Sequence, residues 1–213
     1  MRDIHELRRV RTPFLRPQSI SFDGPSVWAT SIESRRLYQL DPEAWTVRGS
    51  WETPGTPWGM TAAGAELRLV CGEGEDDARY LRRFVPGRGF DGDFRVPCPD
   101  LCGSQLGWDG KTLHLNQWNA RRVLALDAEG SIRREWPVPH QPTGQAIVDG
   151  AIYLVTTEEE EKGDYWLTRL DPATGATADL ARIPFQARGL AFDGRNFWTN
   201  HRERHEAVCF ARP

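Results

Sequence analysis

Apolar and polar residues alternate along this chain in short runs that repeat. Between Leu106 and Glu135, Trp108 leads into an Asp109-Gly110 turn, and Leu113 and Leu115 alternate with His114 and Asn116. Two more runs follow, at 123–126 and 132–136. A two-residue period marks half-buried strands, and Asp-Gly marks a tight hairpin because glycine accepts positive φ without steric cost. The stretch predicts a four-stranded meander. Such a unit buries one face and is not stable alone, so it needs copies of itself.

The chain supplies them. An apolar-x-apolar-Asp-Gly signature, or a degenerate form of it, brings a glycine to positions 24, 64, 110, 150 and 194, a period of roughly 40–46 residues. Second strands are predicted at 27–31, 67–71, 113–117, 152–156 and 197–201, and third strands at 36–40, 80–84, 123–126, 166–170 and 208–211. Fourth strands follow at 46–51, 93–96, 131–136 and 177–183. Four strands at this period are the signature of a propeller blade. The fifth unit stops three strands in, at Pro213, whereas residues 6–11 precede Pro13-Phe14 much as 180–183 precede Pro184-Phe185. The expected fold is therefore all-β: a five-bladed β-propeller of four-stranded antiparallel blades, closed by the N-terminal strand completing the last blade. One domain is expected over 1–213, with blades near 19–51, 59–97, 105–137, 145–184 and 189–213 plus 6–11. Closure of this kind removes two open sheet edges.

Composition narrows the partners. The formal charge of -3 offers no basic field for nucleic acid, and no apolar run approaches the roughly 20 residues of a membrane helix. The N-terminal MRDIHELRRVR is charged and lacks the apolar stretch of a secretory signal, so a cytoplasmic location is expected. Cys71, Cys98, Cys102 and Cys209 are too few and too irregular for a disulfide framework. Cys98 and Cys102 lack a second close pair and read as buried or loop thiols. The nine tryptophans are expected mainly between sheets. The one charge run, Glu158–Glu161 with Lys162, reads as a solvated, mobile loop.

In a propeller, the turn entering each innermost strand and the turn between strands two and three lie around the channel mouth, where ligands usually bind. Counting back from each turn glycine puts Gln18, Trp58 and Arg188 at one level, with Gln105 and Gln145 one step deeper. Amides, an arginine and an indole converging on one axis suit a small polar molecule or the end of a short peptide. Asn116, Trp118 and Asn200 complete the candidate contacts. The turns after the second strands carry Glu33, Glu73, Asn119, Glu158 and Glu203. Glu73, Glu158 and Glu203 are candidate acid–base groups, together with His201, whose unperturbed pKa lies near neutrality. His201 and His205 have metal-like spacing only on a helix, and here they flank a strand turn. No Gly-rich phosphate loop, Gly-x-Ser-x-Gly elbow or His-Glu-x-x-His motif is present.

The stretch LHLNQWNARRVLALDAEGSI, 113–132, is similar through Asn116, Trp118 and Asp127 to a blade of glutaminyl cyclotransferases of the plant and bacterial type. The repeats as a whole also resemble streptogramin B lyases and the regucalcin/gluconolactonase propellers. The resemblance implies an enzyme of the lyase, lactonase or cyclotransferase kind acting at the mouth. Three departures weigh against it. Ala29 stands where a cyclotransferase blade carries its catalytic Glu, and Gln18 where gluconolactonase-type propellers carry an acidic metal ligand. Asn116 and Asn200 are neutral, and neutral ligands bind a divalent ion weakly, so no cofactor is expected and one metal ion in the channel is not favoured. His201 alone corresponds to the histidine of the lyases. The leading expectation is thus a propeller binding a small polar molecule or peptide at its mouth. An enzyme at the same mouth, or a protein-interaction scaffold using the broad face, are the alternatives.

Overall fold

The computed structural model describes residues 1–161 and 163–213; Lys162 of the acidic run lies outside the described residues. The chain begins with β1 (Glu6–Arg11) and then builds blades in sequence. Blade 1 is β2 (Pro17–Phe22), β3 (Val27–Ser31), β4 (Arg36–Leu40) and β5 (Val47–Glu52). Blade 2 is β6 (Thr56–Ala63), β7 (Glu66–Glu73), β8 (Ala78–Val85) and β9 (Gly89–Pro97). Blade 3 is β10 (Gln105–Trp108), β11 (Leu113–Gln117), β12 (Arg122–Leu126) and β13 (Ile132–Pro137). Blade 4 is β14 (Gln141–Val148), β15 (Ala151–Thr157), β16 (Tyr165–Leu170) and β17 (Thr177–Ile183). Blade 5 is β18 (Ala187–Phe192), β19 (Phe197–His201) and β20 (Glu206–Phe210), with β1 as its fourth strand.

Closure is antiparallel: β1 lies on β20 with Arg9 opposite Val208 and Arg11 opposite Glu206. Backbone bonds from Ile4 N to Arg182 O and from Arg182 N to Arg2 O, 2.8 and 2.9 Å, stitch the first residues to blade 4 as well. The innermost strands β2, β6, β10, β14 and β18 pack side by side in a ring around the axis. Apolar clusters fill each gap between neighbouring blades, such as Trp28, Leu37, Met60, Leu69 and Phe84 between blades 1 and 2. Trp28, Trp45, Trp136 and Trp198 sit in those gaps.

The repeat is maintained by the aspartate of its hairpin. Asp23 accepts the Ser26 N–H on one carboxylate oxygen and the Trp28 indole on the other, at 2.9 and 2.6 Å. Asp193 does the same for Asn196 N and the Trp198 indole at 2.7 Å each, and Asp109 binds Thr112 N and His114 Nε2. One side chain thus closes the turn and fixes the second residue of the second strand, which is why Asp rather than Asn recurs at this site. Around the axis the inner strands come close enough that a Cβ on Gly144 would lie 2.6 Å from the Gly189 carbonyl carbon. Glycine is required there by proximity.

Candidate functional site

Four of the five innermost strands carry a β-bulge at their mouth end. Pro17 pairs with Ser31 and Ser19 with Thr30, leaving Gln18 as the extra residue. Trp58 is the extra residue between Pro57 and Gly59, and Thr143 between Pro142 and Gly144. The register also slips just after Arg188. A bulge turns a side chain out of the strand's alternation, and here it turns Gln18, Trp58 and Thr143 toward the axis. Proline precedes each of those three residues, a position where the ladder can do without an N–H.

These residues enclose a cavity of about 190 Å³ at the mouth, together with Gln105, Arg188, Glu160, Arg79, Cys102 and the Trp118-Asn119 turn. Gln105 forms its floor: the Nε2 group donates to Trp58 O at 2.9 Å and reaches Gln18 O at 3.4 Å, so a side chain from blade 3 spans to blades 1 and 2. Trp58 is held rigid by its indole N–H on Asp77, 3.2 Å, and by the Arg79 guanidinium 4.2 Å from its ring centroid. Trp118 lines the same cavity, and its buried indole nitrogen has no partner among the described residues.

Arg188, 3 % exposed, donates through Nη1 to the Tyr165 hydroxyl and Ala187 O at 2.6 and 2.8 Å, and through Nη2 to Glu160. Arg202 donates to the same Glu160 oxygen at 3.2 Å and to Gln18 Oε1 at 3.3 Å. Burial alone would raise the Glu160 pKa. The charges and hydrogen bonds of Arg188 and then Arg202 outweigh it and hold the carboxyl below its ordinary value.

Of the residues singled out from sequence, Gln18, Trp58, Gln105, Trp118 and Arg188 meet at this cavity. Gln145 does not. It lines a separate cavity of about 150 Å³ at the other end of the axis, with Ser21, Thr61 and Gly107. Asn116 and Asn200 are fully buried on the second strands. Asn116 ties blade 3 to Gly144 O at 3.3 Å, and neither polar atom of Asn200 has a partner among the described residues.

The candidate acid–base groups all lie outside the mouth cavity. His201 stacks on Phe185, ring centroids 5.0 Å apart, and burial, then the nearby Arg204 and Arg9, lower its pKa. Adjacent strand residues point to opposite faces, so with Asn200 turned inward His201 faces away. Glu73 is paired with Arg95 at 2.9 Å, and Glu203 with Arg202 at 3.3 Å and Arg16 at 3.7 Å. Glu158 meets His140 at 3.3 Å on an outer depression bounded by Trp118 and Glu161. Arginines thus neutralise Glu73 and Glu203, while Glu158 is met by a histidine.

The acidic run departs from the solvated loop expected of it at one residue. Glu158, Glu159 and Glu161 are exposed, but Glu160 turns in to the cavity. The entry turns of blades 3 and 4 also bring Cys102 and Thr143 to the cavity, Thr143 sharing with Gln18 and Trp58 the signal of a preceding proline, whereas no local pattern marks Arg79 or Arg202. Among the described residues no group of three or more His, Cys, Asp or Glu side chains is arranged to hold a metal ion. No described helix is long and apolar enough to cross a membrane.

No family model and no curated protein sequence matches the chain. Solved structures do. Glutaminyl cyclase from Myxococcus xanthus is similar with a TM-score of 0.75 and 14% identity, over 100% of this chain and 98% of that one. The PQQ-bound aldose sugar dehydrogenase from Streptomyces coelicolor is similar with a TM-score of 0.64 and 12% identity, over 97% of each chain. At these identities the likeness is one of fold.

Proposed function

We propose that the mouth binds a small polar molecule or the terminal residue of a short peptide. The observation that carries this reading is the convergence of Gln18, Trp58, Gln105, Trp118 and Arg188 on one cavity of about 190 Å³. An apolar cavity of about 150 Å³ accommodates benzene, so the portion held here is one ring or one side chain. The two indoles supply stacking walls with little conformational freedom to lose. Arg188 and the amides supply fixed polar contacts, the usual division of labour in a small-ligand site. The two similar propellers, a glutaminyl cyclase and an aldose sugar dehydrogenase, support reading a propeller of this fold as a small-molecule scaffold.

Binding is favoured over chemistry by the state of Glu160, the one carboxylate lining the cavity among the described residues. Two guanidiniums hold it ionised, whereas a general acid–base needs a pKa near the working pH.

A thermal-shift screen of amino acids, dipeptides with free and blocked ends, simple sugars and organic acids tests the reading. A ligand present at a hundredfold excess over its dissociation constant stabilises by about 2.7 kcal/mol. At least one class is expected to raise the melting temperature of the native protein and not that of Trp118→Ala. A panel without a shift at millimolar concentrations, or equal shifts in both proteins, would sink the proposal.

A further inference from the structure

Two guanidinium groups meet at one carboxylate on the cavity wall. Arg188 has no ionic partner besides Glu160 among the described residues, and Arg202 shares the same oxygen. With Arg16 nearby, three cations (Arg16, Arg188 and Arg202) face two carboxylates, Glu160 and the half-exposed Glu203. The cluster is cationic without Glu160, and more so toward the cavity, since Glu203 binds on the outer side. Glu160 comes from the β15–β16 turn, between exposed neighbours, and its backbone is tied down separately by the Tyr165 hydroxyl at 2.5 Å. Its carboxylate therefore reaches a buried arginine while its carbonyl is bonded separately, so the side chain can leave the arginines without the Tyr165 bond being broken.

That is the arrangement of a tethered ligand, and it names the group the pocket is shaped for. We infer that Arg188 and Arg202 form a carboxylate-recognition site which Glu160 fills in the unliganded protein. The ligand of the mouth is a small organic carboxylate with an apolar body, which displaces the Glu160 side chain. The inference rests on the mouth being a binding site, as proposed above. The head group takes the place of the Glu160 oxygen, accepting from Nη2 of Arg188 and Nη2 of Arg202, and the body, one ring in size, packs against the cavity indoles Trp58 and Trp118. A carboxylate tethered through a few bonds competes at an effective concentration in the millimolar range, so the native protein binds such ligands more weakly than the pocket alone would.

The test compares the native protein with Glu160→Ala and Glu160→Gln by calorimetry in a chloride buffer, using benzoate and benzamide as a matched pair. Glycyl-phenylalanine and its C-terminal amide form a second pair, separating a free acid from a peptide end. Both variants are expected to bind a carboxylate at least about tenfold tighter than the native protein does, with no gain for the amides. Benzoate, and not benzamide, is expected to restore the melting temperature that Glu160→Ala loses. Should Glu160→Ala fail to fold, Glu160→Gln keeps an acceptor for both guanidiniums and carries the comparison. Equal binding of acid and amide in all three proteins overturns the carboxylate assignment while leaving the mouth as a binding site. Carboxylate affinity unchanged or weakened in both variants overturns it too. So does absence of any binding, in which case the ligand panel decides the broader reading separately.

Discussion

Tyr165 offers the cleanest measurement of how the mouth is held, because replacing it with phenylalanine removes one oxygen and leaves the packing intact. The side chain is 1 % exposed, so water cannot substitute for what is lost. Two bonds go: Arg188 Nη1 loses an acceptor at 2.6 Å and keeps Ala187 O at 2.8 Å, and the Glu160 carbonyl loses a donor at 2.5 Å. A hydrogen bond to a charged group contributes about 1.5–3 kcal/mol and a neutral one about 1 kcal/mol, so Tyr165→Phe is expected to cost about 2–4 kcal/mol. With a urea slope of about 3 kcal/mol/M, the midpoint falls by about 1 M at unchanged slope. Tyr153→Phe is the control: that hydroxyl has a single contact, Arg212 Nη2 at 3.5 Å, and its loss is expected to cost under about 0.5 kcal/mol. Equal midpoints for the two variants would refute the claim that the phenol joins Arg188 to the Glu160 turn.

The hairpin aspartate predicts a double-mutant cycle: Asp23→Ala and Trp28→Phe should couple by about 1.5–3 kcal/mol in urea unfolding, and simple additivity would contradict the shared carboxylate. Gly144→Ala places a methyl 2.6 Å from the Gly189 carbonyl carbon and is expected to cost at least about 1–3 kcal/mol by wedging blades 4 and 5 apart; a native-like melt would show that the strands can yield. Burial lowers the His114 pKa below 6.5 despite the opposing pull of Asp109. The unfolded chain then takes up a proton that the folded one refuses, so stability is full above pH 6.5 and declines as pH falls below it. Melting curves from pH 5 to 7.5 should show this slope, smaller in His114→Gln.

The architecture was legible because its devices are local. Three of the Asp-Gly turns, at Asp23, Asp109 and Asp193, carry their own lock on a residue of the strand that follows, and the fifth blade's missing strand had one candidate, residues 6–11, which β1 occupies. The site was legible where a single residue reports its own geometry. Pro17-Gln18 and Pro57-Trp58 mark bulges, and both residues face the cavity. Counting back from turn glycines fails in blade 4, where the bulged residue is Thr143 and Gln145, two positions on, faces the far end of the axis. One residue of slip reverses every side chain beyond it. Glu160 could not be recognised at all. An acidic run reads as solvated, and what draws one member inward is Arg188, brought there by a different blade.

Gln105 has a consequence for traffic. Its amide reaches under the mouth from blade 3 to carbonyls of blades 2 and 1, so a ligand held there as proposed rests on a fixed amide. A cavity of about 190 Å³ has room for one ring or one side chain, so a bound peptide would present a single residue to it and leave the rest outside. A second ligand then waits for the first to leave. Exchange is therefore strictly one at a time, and saturation should follow a simple hyperbola with a Hill coefficient of about one, whatever molecule is admitted.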